Sequence, residues 1–212
     1  MAHRTVSDVM TAEVATIDED APFKELVSAL AERGVSALPI LDAQGRVSGV
    51  VSEIDLLRKE EYRDEPGEGH PSPWRHRGDR ARAAGLTARD VMTAPPVTIS
   101  PDASIVTAAR MLHRHGVRRL VVLDADGWLA GIVTPSDLLK VYLRSDDDIR
   151  AEVLDEVITD YLGANPDLVR VAVSDGVVTL GGTVASQSMM RLAGKMARSV
   201  DGVVDVVNHL SC

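Results

Sequence analysis

Aromatic residues make up only 3% of this 212-residue chain. Stacked rings therefore cannot dominate its interior, and Val, Leu, Ile, Ala and Met must supply the core. Cysteine is nearly absent. Cys212, the final residue, is the single one, which excludes an intramolecular disulfide and the stapled scaffolds of small secreted proteins. No apolar run approaches the roughly 20 residues that span a bilayer. The opening stretch Met1-Ala2-His3-Arg4-Thr5-Val6-Ser7-Asp8 is polar, with no apolar segment of the secretory kind behind it. A cytoplasmic location is expected. Positive charge is in deficit, with 23 Lys and Arg against 32 Asp and Glu for a formal net charge of −9. That balance opposes binding of nucleic acid or anionic membrane through net field, and leaves only a local basic patch able to do either. The familiar catalytic signatures are missing as well: no Walker A loop, no Gly-x-Ser-x-Gly elbow, no Cys-x-x-Cys, no His-Glu-x-x-His. His113 and His115 lack the i,i+4 spacing of helical metal ligands. A non-enzyme with no metal and no required cofactor is expected.

What is present is a hydrophobic fraction of 45% with mean hydropathy +0.01, the balance of a soluble globular chain. The length suits one mid-sized domain and a smaller one. An internal repeat organises the larger part. Asp8-Val9-Met10-Thr11-Ala12 recurs as Asp90-Val91-Met92-Thr93-Ala94, an offset of 82 residues. The same offset, without a gap, carries Thr16-Ile17 onto Thr98-Ile99, Gly34-Val35 onto Gly116-Val117 and Leu41-Asp42-Ala43 onto Leu123-Asp124-Ala125. It also carries Gly45, Gly49 and Val51 onto Gly127, Gly131 and Val133, and Asp55-Leu56-Leu57 onto Asp137-Leu138-Leu139.

Each copy reads as strand, helix, strand, strand, helix. Val14 to Ile17 is a short β-type run, and Asp18 to Pro22 leads into a helix carrying Leu26, Ala29 and Leu30 at helical spacing, with Gly34 as its C′ residue. Ala37 to Leu41 and Val47 to Val51 form a hairpin around Asp42-Ala43-Gln44-Gly45, and a helix opens at Ser52. One such unit leaves a sheet face uncovered, so the two copies are expected to form one pseudo-twofold domain. The stretch Tyr62 to Gly85, rich in Gly, Pro, Glu, His and Arg, reads as a mobile insertion with a short helical turn at Asp79 to Ala84. Its Trp74 and Arg75-His76-Arg77 suit either a recognition element or a solvated loop.

After Asp146 the pattern changes to a helix from Ile149 to Leu162, strands at Leu168 to Val173 and Val177 to Leu180 around Ser174-Asp175-Gly176, a helix from Ser186 to Val200 and a last strand from Gly202 to Leu210. Gly181-Gly182 reads as an interruption of the second of these strands. Residues 1–61 and 86–145 are thus the two copies, 62–85 the insertion and 146–212 a small C-terminal domain. The fold class is α/β in the broad sense (α+β).

Two segments bear on chemistry. Ser52-Glu53-Ile54-Asp55 and Thr134-Pro135-Ser136-Asp137 each follow an apolar strand and open a helix. A hydroxyl followed three residues later by an acid is the pattern of a helix capping box, and Pro135 suits a first helical turn. The same place offers a phosphate free amides and partial positive charge, while an Asp carboxylate accepts hydrogen bonds from a ribose diol. Both roles fit. The copies differ after Gly-Val. The first continues Ser36-Ala37, the second Arg118-Arg119, preceded by His113, Arg114 and His115. Arginine suits forked phosphate recognition, and adjacent strand residues point to opposite faces, so at most one of the pair faces a given cleft. Solvation or ion pairing is the alternative role for both. On this pattern the arginines favour the second copy as the stronger phosphate site.

The Asp-Val-Met-Thr segments, the Gly-Val before a strand, and Gly-Val-Val-Ser-Glu-Ile-Asp-Leu-Leu and Gly-Ile-Val-Thr-Pro-Ser-Asp-Leu-Leu together resemble CBS domains, from about Ser7 to Arg144. The resemblance implies a Bateman module with two clefts for AMP, ADP, ATP or a related adenosyl ligand. It implies that Ser52 and Thr134 lie near phosphate or ribose, that Asp55 and Asp137 meet ribose hydroxyls, and that Thr16, Ile17, Val35, Thr98, Ile99 and Val117 border adenine. Arg118 and Arg119 join them as candidate phosphate contacts. A homodimer and a separate protein partner are expected on the same basis.

The C-terminal unit, through Val177-Val178-Thr179-Leu180-Gly181-Gly182-Thr183-Val184 and Val200-Asp201-Gly202-Val203-Val204-Asp205-Val206-Val207-Asn208, resembles a BON domain. That family is associated with phospholipid or protein contacts. An acidic start and the lack of a polybasic stretch oppose a membrane role here, and Arg191, Lys195 and Arg198 read as a solvated helix face. The expected function is a non-catalytic sensor that relays adenine-nucleotide state to a partner. The alternative is an adaptor acting through its C-terminal domain, its nucleotide sites vestigial.

Overall fold

The computed structural model describes residues 4–61 and 85–212. The insertion expected at 62–85, its helical turn and the Trp74 cluster fall almost wholly outside the described residues. The chain divides into two compact units, one of Met10–Thr134 and one of Met1–Val9 with Pro135–Cys212.

In the first copy β1 (Ile17–Asp18), α1 (Phe23–Arg33), β2 (Ala37–Leu41), β3 (Val47–Ser52) and α2 (Glu53–Glu61) follow in order. The second copy repeats this, after a short helix α3 (Ala88–Val91), with β4 (Thr98–Ile99), α4 (Ile105–His115), β5 (Leu120–Leu123), β6 (Leu129–Val133) and α5 (Pro135–Leu139). Each sheet has three strands, the first parallel to the second and the second antiparallel to the third. The leading strands are shorter than the sequence run beginning at Val14 suggests, because only Ile17 and Asp18 find partners, opposite Ile40 and Leu41. Helices α1 and α4 stop where expected: Gly34 and Gly116 sit at φ +61° and +62°, a left-handed conformation that glycine adopts without a Cβ clash.

The recurring Asp-Val-Met-Thr segment joins the copies. Thr11 pairs with Ile132 of β6, the two amides and carbonyls exchanging bonds of 2.9 Å, and Thr93 pairs with Val50 of β3 in the same way at 2.9 and 3.1 Å. Each copy's leader thus lengthens the other copy's sheet. The preceding methionines lie over small residues: a Cβ on Gly131 would fall 2.7 Å from Met10 Sδ, and one on Gly49 within 2.9 Å of Met92 Cγ. Ala88 and Val91 of α3 are buried in the first copy's core with Leu26, Leu38, Ile40 and Val51. This reciprocal exchange, invisible to a local reading, explains why the motif and the glycines recur together.

The C-terminal unit contains α6 (Asp146–Glu152), which continues as a π-helical segment over Val153–Tyr161, then β7 (Val169–Ser174), β8 (Val177–Thr183), α7 (Gln187–Ala197) and β9 (Asp205–Ser211). β7 is antiparallel to β8, and β9 returns parallel to β8 after the α7 crossover. Ile149, Val153, Val157, Ile158, Val178, Leu180, Ala193 and Ala197 form the core. The β7–β8 turn has Asp175 and Gly176 both at positive φ, 50° and 73°, the geometry of a tight hairpin. Gly181-Gly182 does not interrupt β8, which runs to Thr183. Gly182 is needed there because it sits at φ +107° and a Cβ would run into the Leu168 carbonyl. Among the described residues no helix is long and apolar enough to cross a membrane.

Candidate functional site

At the start of α2 the backbone turns out of β3 and leaves its first amides free of helical partners. Ser52 donates both its amide and its hydroxyl to Asp55 Oδ2, at 2.9 and 2.6 Å, and the Glu53 amide donates to the Ser36 carbonyl at 3.1 Å. The motif therefore caps its helix. Capping uses one carboxylate oxygen and leaves the group partly exposed.

Arg119 reaches this place from the other copy. Its Nη2 lies 3.4 Å from Ser36 Oγ. Burial pulls the guanidinium below its ordinary value, while the carboxylates of Asp55 and Glu53 pull the opposite way. A partly buried cation facing two acids remains charged, since arginine does not lose its proton in proteins. Arg119 of the second copy thus lies beside the first copy's motif. It immediately precedes β5, and its side chain reaches Ser36 of the first copy. Arg118, its neighbour, is exposed.

The remaining candidates divide by copy. Ile17 and Val35 rest against the first copy's core, and Thr16 beside them is partly buried. In the second copy Thr98 pairs with Val121 and the buried Ile99 with Val122, Val117 follows the α4 cap, and Thr134 closes β6. Asp137 lies on α5, only 6% exposed, and its Oδ1 accepts from Lys140 Nζ at 2.8 Å. Sequence reasoning missed Glu53, Ser36 and Lys140. Lys140 pairs with Asp137, whereas Ser36 and Glu53 lie near Arg119, and no local signal gave those partners.

In chemical terms the first copy's opening sets a cation, two carboxylates, two hydroxyls and a helix N-terminus around one place, bordered by aliphatic residues. Such a set matches an anion attached to a polyhydroxyl group and an apolar ring.

The CBS domain model matches residues 6–62 and 88–144. The chain belongs to the CBS domain family. The BON domain model matches residues 145–212, so a tandem CBS pair is followed here by a C-terminal BON domain, and the mixed α+β fold is that of CBS-pair structures. The chain is 28% identical over 143 residues to an uncharacterized protein of Methanocaldococcus jannaschii, the match covering 66% of this chain and 32% of that one. It is 28% identical over 152 residues to the CBS domain-containing protein CBSX2, chloroplastic, of Arabidopsis thaliana, covering 66% and 64%. A 28% match to homoserine O-acetyltransferase of Methanococcoides burtonii covers 65% of this chain but only 24% of that protein. The matched region thus spans about a third or less of the longer relatives. Among solved structures, that of CBSX2 in complex with AMP aligns with a TM-score of 0.57 and 29% identity over 66% of this chain and 97% of that one.

Proposed function

We propose that this protein senses an adenine nucleotide through its CBS pair and passes the ligand state to a protein partner in the cytoplasm. The observation that carries the reading is the convergence of Arg119 from one copy on Asp55, Ser52 and Ser36 of the other. The AMP complex of the related CBSX2 supports the choice of ligand class. On this reading Asp55 holds the ribose diol, Ser52 and Arg119 take the phosphate, and Thr16, Ile17 and Val35 border the adenine. In the second copy Thr98, Ile99, Val117, Arg118, Thr134 and Asp137 carry the matching roles. The ligand replaces the contact now made by Arg119, so binding is a switch of partners rather than the filling of an inert cavity.

Titration calorimetry of the intact chain with AMP, ADP, ATP and S-adenosylmethionine tests this. Asp55→Asn still caps α2, since Asn also accepts an amide bond, but loses the charged acceptor, and AMP affinity is expected to fall about tenfold. Arg119→Gln weakens AMP and leaves adenosine unchanged, because only AMP carries the phosphate. Unaltered AMP affinity in Asp55→Asn leaves a capping role alone, and no heat with any of the four leaves the adaptor reading in place.

We also propose that the protein forms a homodimer. Ile54 and Leu57 on α2 are 50% and 64% exposed, and Leu139 on α5 is 61% exposed, leaving apolar side chains that a second copy would cover. Sedimentation equilibrium decides it, and a monomer at high concentration removes the proposal.

A further inference from the structure

Both ends of the duplicated segment are tied to a single turn of the BON domain. Residues 201 and 202, between α7 and β9, form that turn. On one side, the chain that leaves α5 runs through a short 3₁₀ turn, Lys140–Leu143, to Arg144. Arg144 Nη1 donates to the Asp201 carbonyl at 2.8 Å, and its Nη2 pairs with Glu152 at 2.7 Å, the two side chains 16% and 25% exposed. On the other side, the chain that precedes the first copy arrives at Arg4, whose amide donates to Asp201 Oδ2 at 3.2 Å.

Between them the backbone itself is fitted. Gly202 sits at φ +93°, and a Cβ there would lie 2.9 Å from the Val141 carbonyl, 3.1 Å from Ile149 Cδ1 and 3.3 Å from Arg144 Cβ. Val6, Val141 and Ile149 are all buried in the same unit. Asp146 then grips the far hairpin, accepting from the Asp175 and Gly176 amides at 2.8 Å each. A loose tether between domains carries few buried contacts and many exposed polar groups. The segment from Pro135 to Glu152 is the opposite: it holds the buried Asp137 at one end and the BON core at the other.

We propose that the Asp201–Gly202 turn is a coupling latch, through which α5 of the second copy, the chain entering the first copy and the BON domain respond as one element. The latch makes the BON domain the reader of the CBS pair. As coupling between sites is reciprocal, releasing the turn changes the behaviour of α5, and a ligand that moves α5 changes the turn. The ligand part of this proposal rests on the nucleotide-sensor reading; the mechanical part does not.

Amide hydrogen exchange on the full chain tests both parts, with calorimetry on the same samples. Gly202→Val places a side chain against the Val141 carbonyl at a backbone angle that valine resists, and Arg144→Gln is the milder variant if the first folds poorly. Without ligand, both are expected to speed exchange about tenfold in three places: Val200 to Val206, Asp137 to Leu143, and Thr5 to Val9. Acceleration confined to Val200 to Val206 overturns the latch. With saturating AMP, exchange at Val200 to Val206 is expected to slow in the unaltered protein and not in Gly202→Val. AMP that binds with measurable heat and leaves the turn unchanged overturns the ligand coupling. Absence of heat removes the nucleotide reading instead, and the ligand-free comparison still decides the latch.

Discussion

Helices α2 and α5 open with the same Ser/Thr-x-x-Asp motif on equivalent backbones, yet the two carboxylates meet different company. Asp55 is partly exposed, bonded to its own capping Ser52, with Arg119 arriving from the other copy. Asp137 is buried, and Lys140, one turn along the chain, pairs with it. The cation beside the first carboxylate therefore comes from the other copy, and the one beside the second from its own chain. A duplication copies backbone and motif, but a site also depends on residues that cross over, and these diverge independently: the position of Arg119 corresponds to Ala37 in the first copy. Asp137 belongs, moreover, to the compact unit that holds the BON domain, while Asp55 belongs to the other.

The largest effect is expected where the copies are most alike. Gly131→Val and Gly49→Val each force atoms onto a methionine and onto a leader carbonyl, 2.8 Å from Thr11 O in one case and 3.0 Å from Thr93 O in the other. Overfilling of that kind costs about 2–3 kcal/mol, read as a lowered denaturant midpoint. Equal losses mean that the exchange of leaders is energetically symmetric, and a variant with unaltered stability breaks that symmetry.

Next comes the cap. Ser52→Ala removes the 2.6 Å hydroxyl bond to Asp55 and is expected to cost about 1 kcal/mol in thermal stability. The Ser52 amide keeps its 2.9 Å bond to Asp55 Oδ2 in this variant, while the lost hydroxyl removes a proposed phosphate contact, so AMP affinity is expected to fall as well.

Arg46→Ala probes an asymmetric contact between the two hairpin turns. The Arg46 guanidinium lies 3.8 Å from the centre of the Trp128 ring and donates to the Asp126 carbonyl. A partly exposed cation–π pair is worth about 0.5–1 kcal/mol, and the ring's fluorescence should shift as well. A change in fluorescence without loss of stability would assign the contact to surface decoration.

The smallest effect is expected from acid. The Thr5 amide and hydroxyl hold Asp8 below its ordinary value, and the Leu86 and Thr87 amides, with the Thr87 hydroxyl, do the same for Asp90. A carboxyl depressed on folding contributes stability that is complete above its unfolded value near 3.8 and is lost as pH falls through the folded value. Both groups lie at the surface, so the contribution is modest. The double variant Asp8→Asn, Asp90→Asn should show a smaller drop in melting temperature between pH 6 and pH 3 than the unaltered chain.

Much of this architecture was legible from the chain alone. The 82-residue offset, the Gly34 and Gly116 helix ends, the Asp42–Gly45 turn and the Asp175-Gly176 hairpin are local matters of backbone preference, and local preference is written in consecutive residues. The boundaries that moved did so for non-local reasons. The first strand shrank to Ile17–Asp18 because a strand extends only as far as its partner does, and β8 ran through Gly181-Gly182 because β9 pairs with it as far as Thr183. Arg198, read as part of a solvated face, donates to the Val206 carbonyl at 3.0 Å, since the return of β9 brings that carbonyl beneath α7.

The site divides in the same way. The Ser52-x-x-Asp55 and Thr134-x-x-Asp137 motifs were evident as helix openings able to hold a phosphate or a ribose, because three residues of helix suffice to set that geometry. The direction of Arg119, the methionines over Gly49 and Gly131, and the meeting of Arg4 and Arg144 at Asp201 were not evident. Each joins groups far apart in sequence, whose proximity depends on how the sheets exchange leaders and how α5 enters the C-terminal unit. Short-range order follows from residue type and spacing; which charges share a partly buried space is decided only once burial has brought distant segments together and removed the water that would screen them.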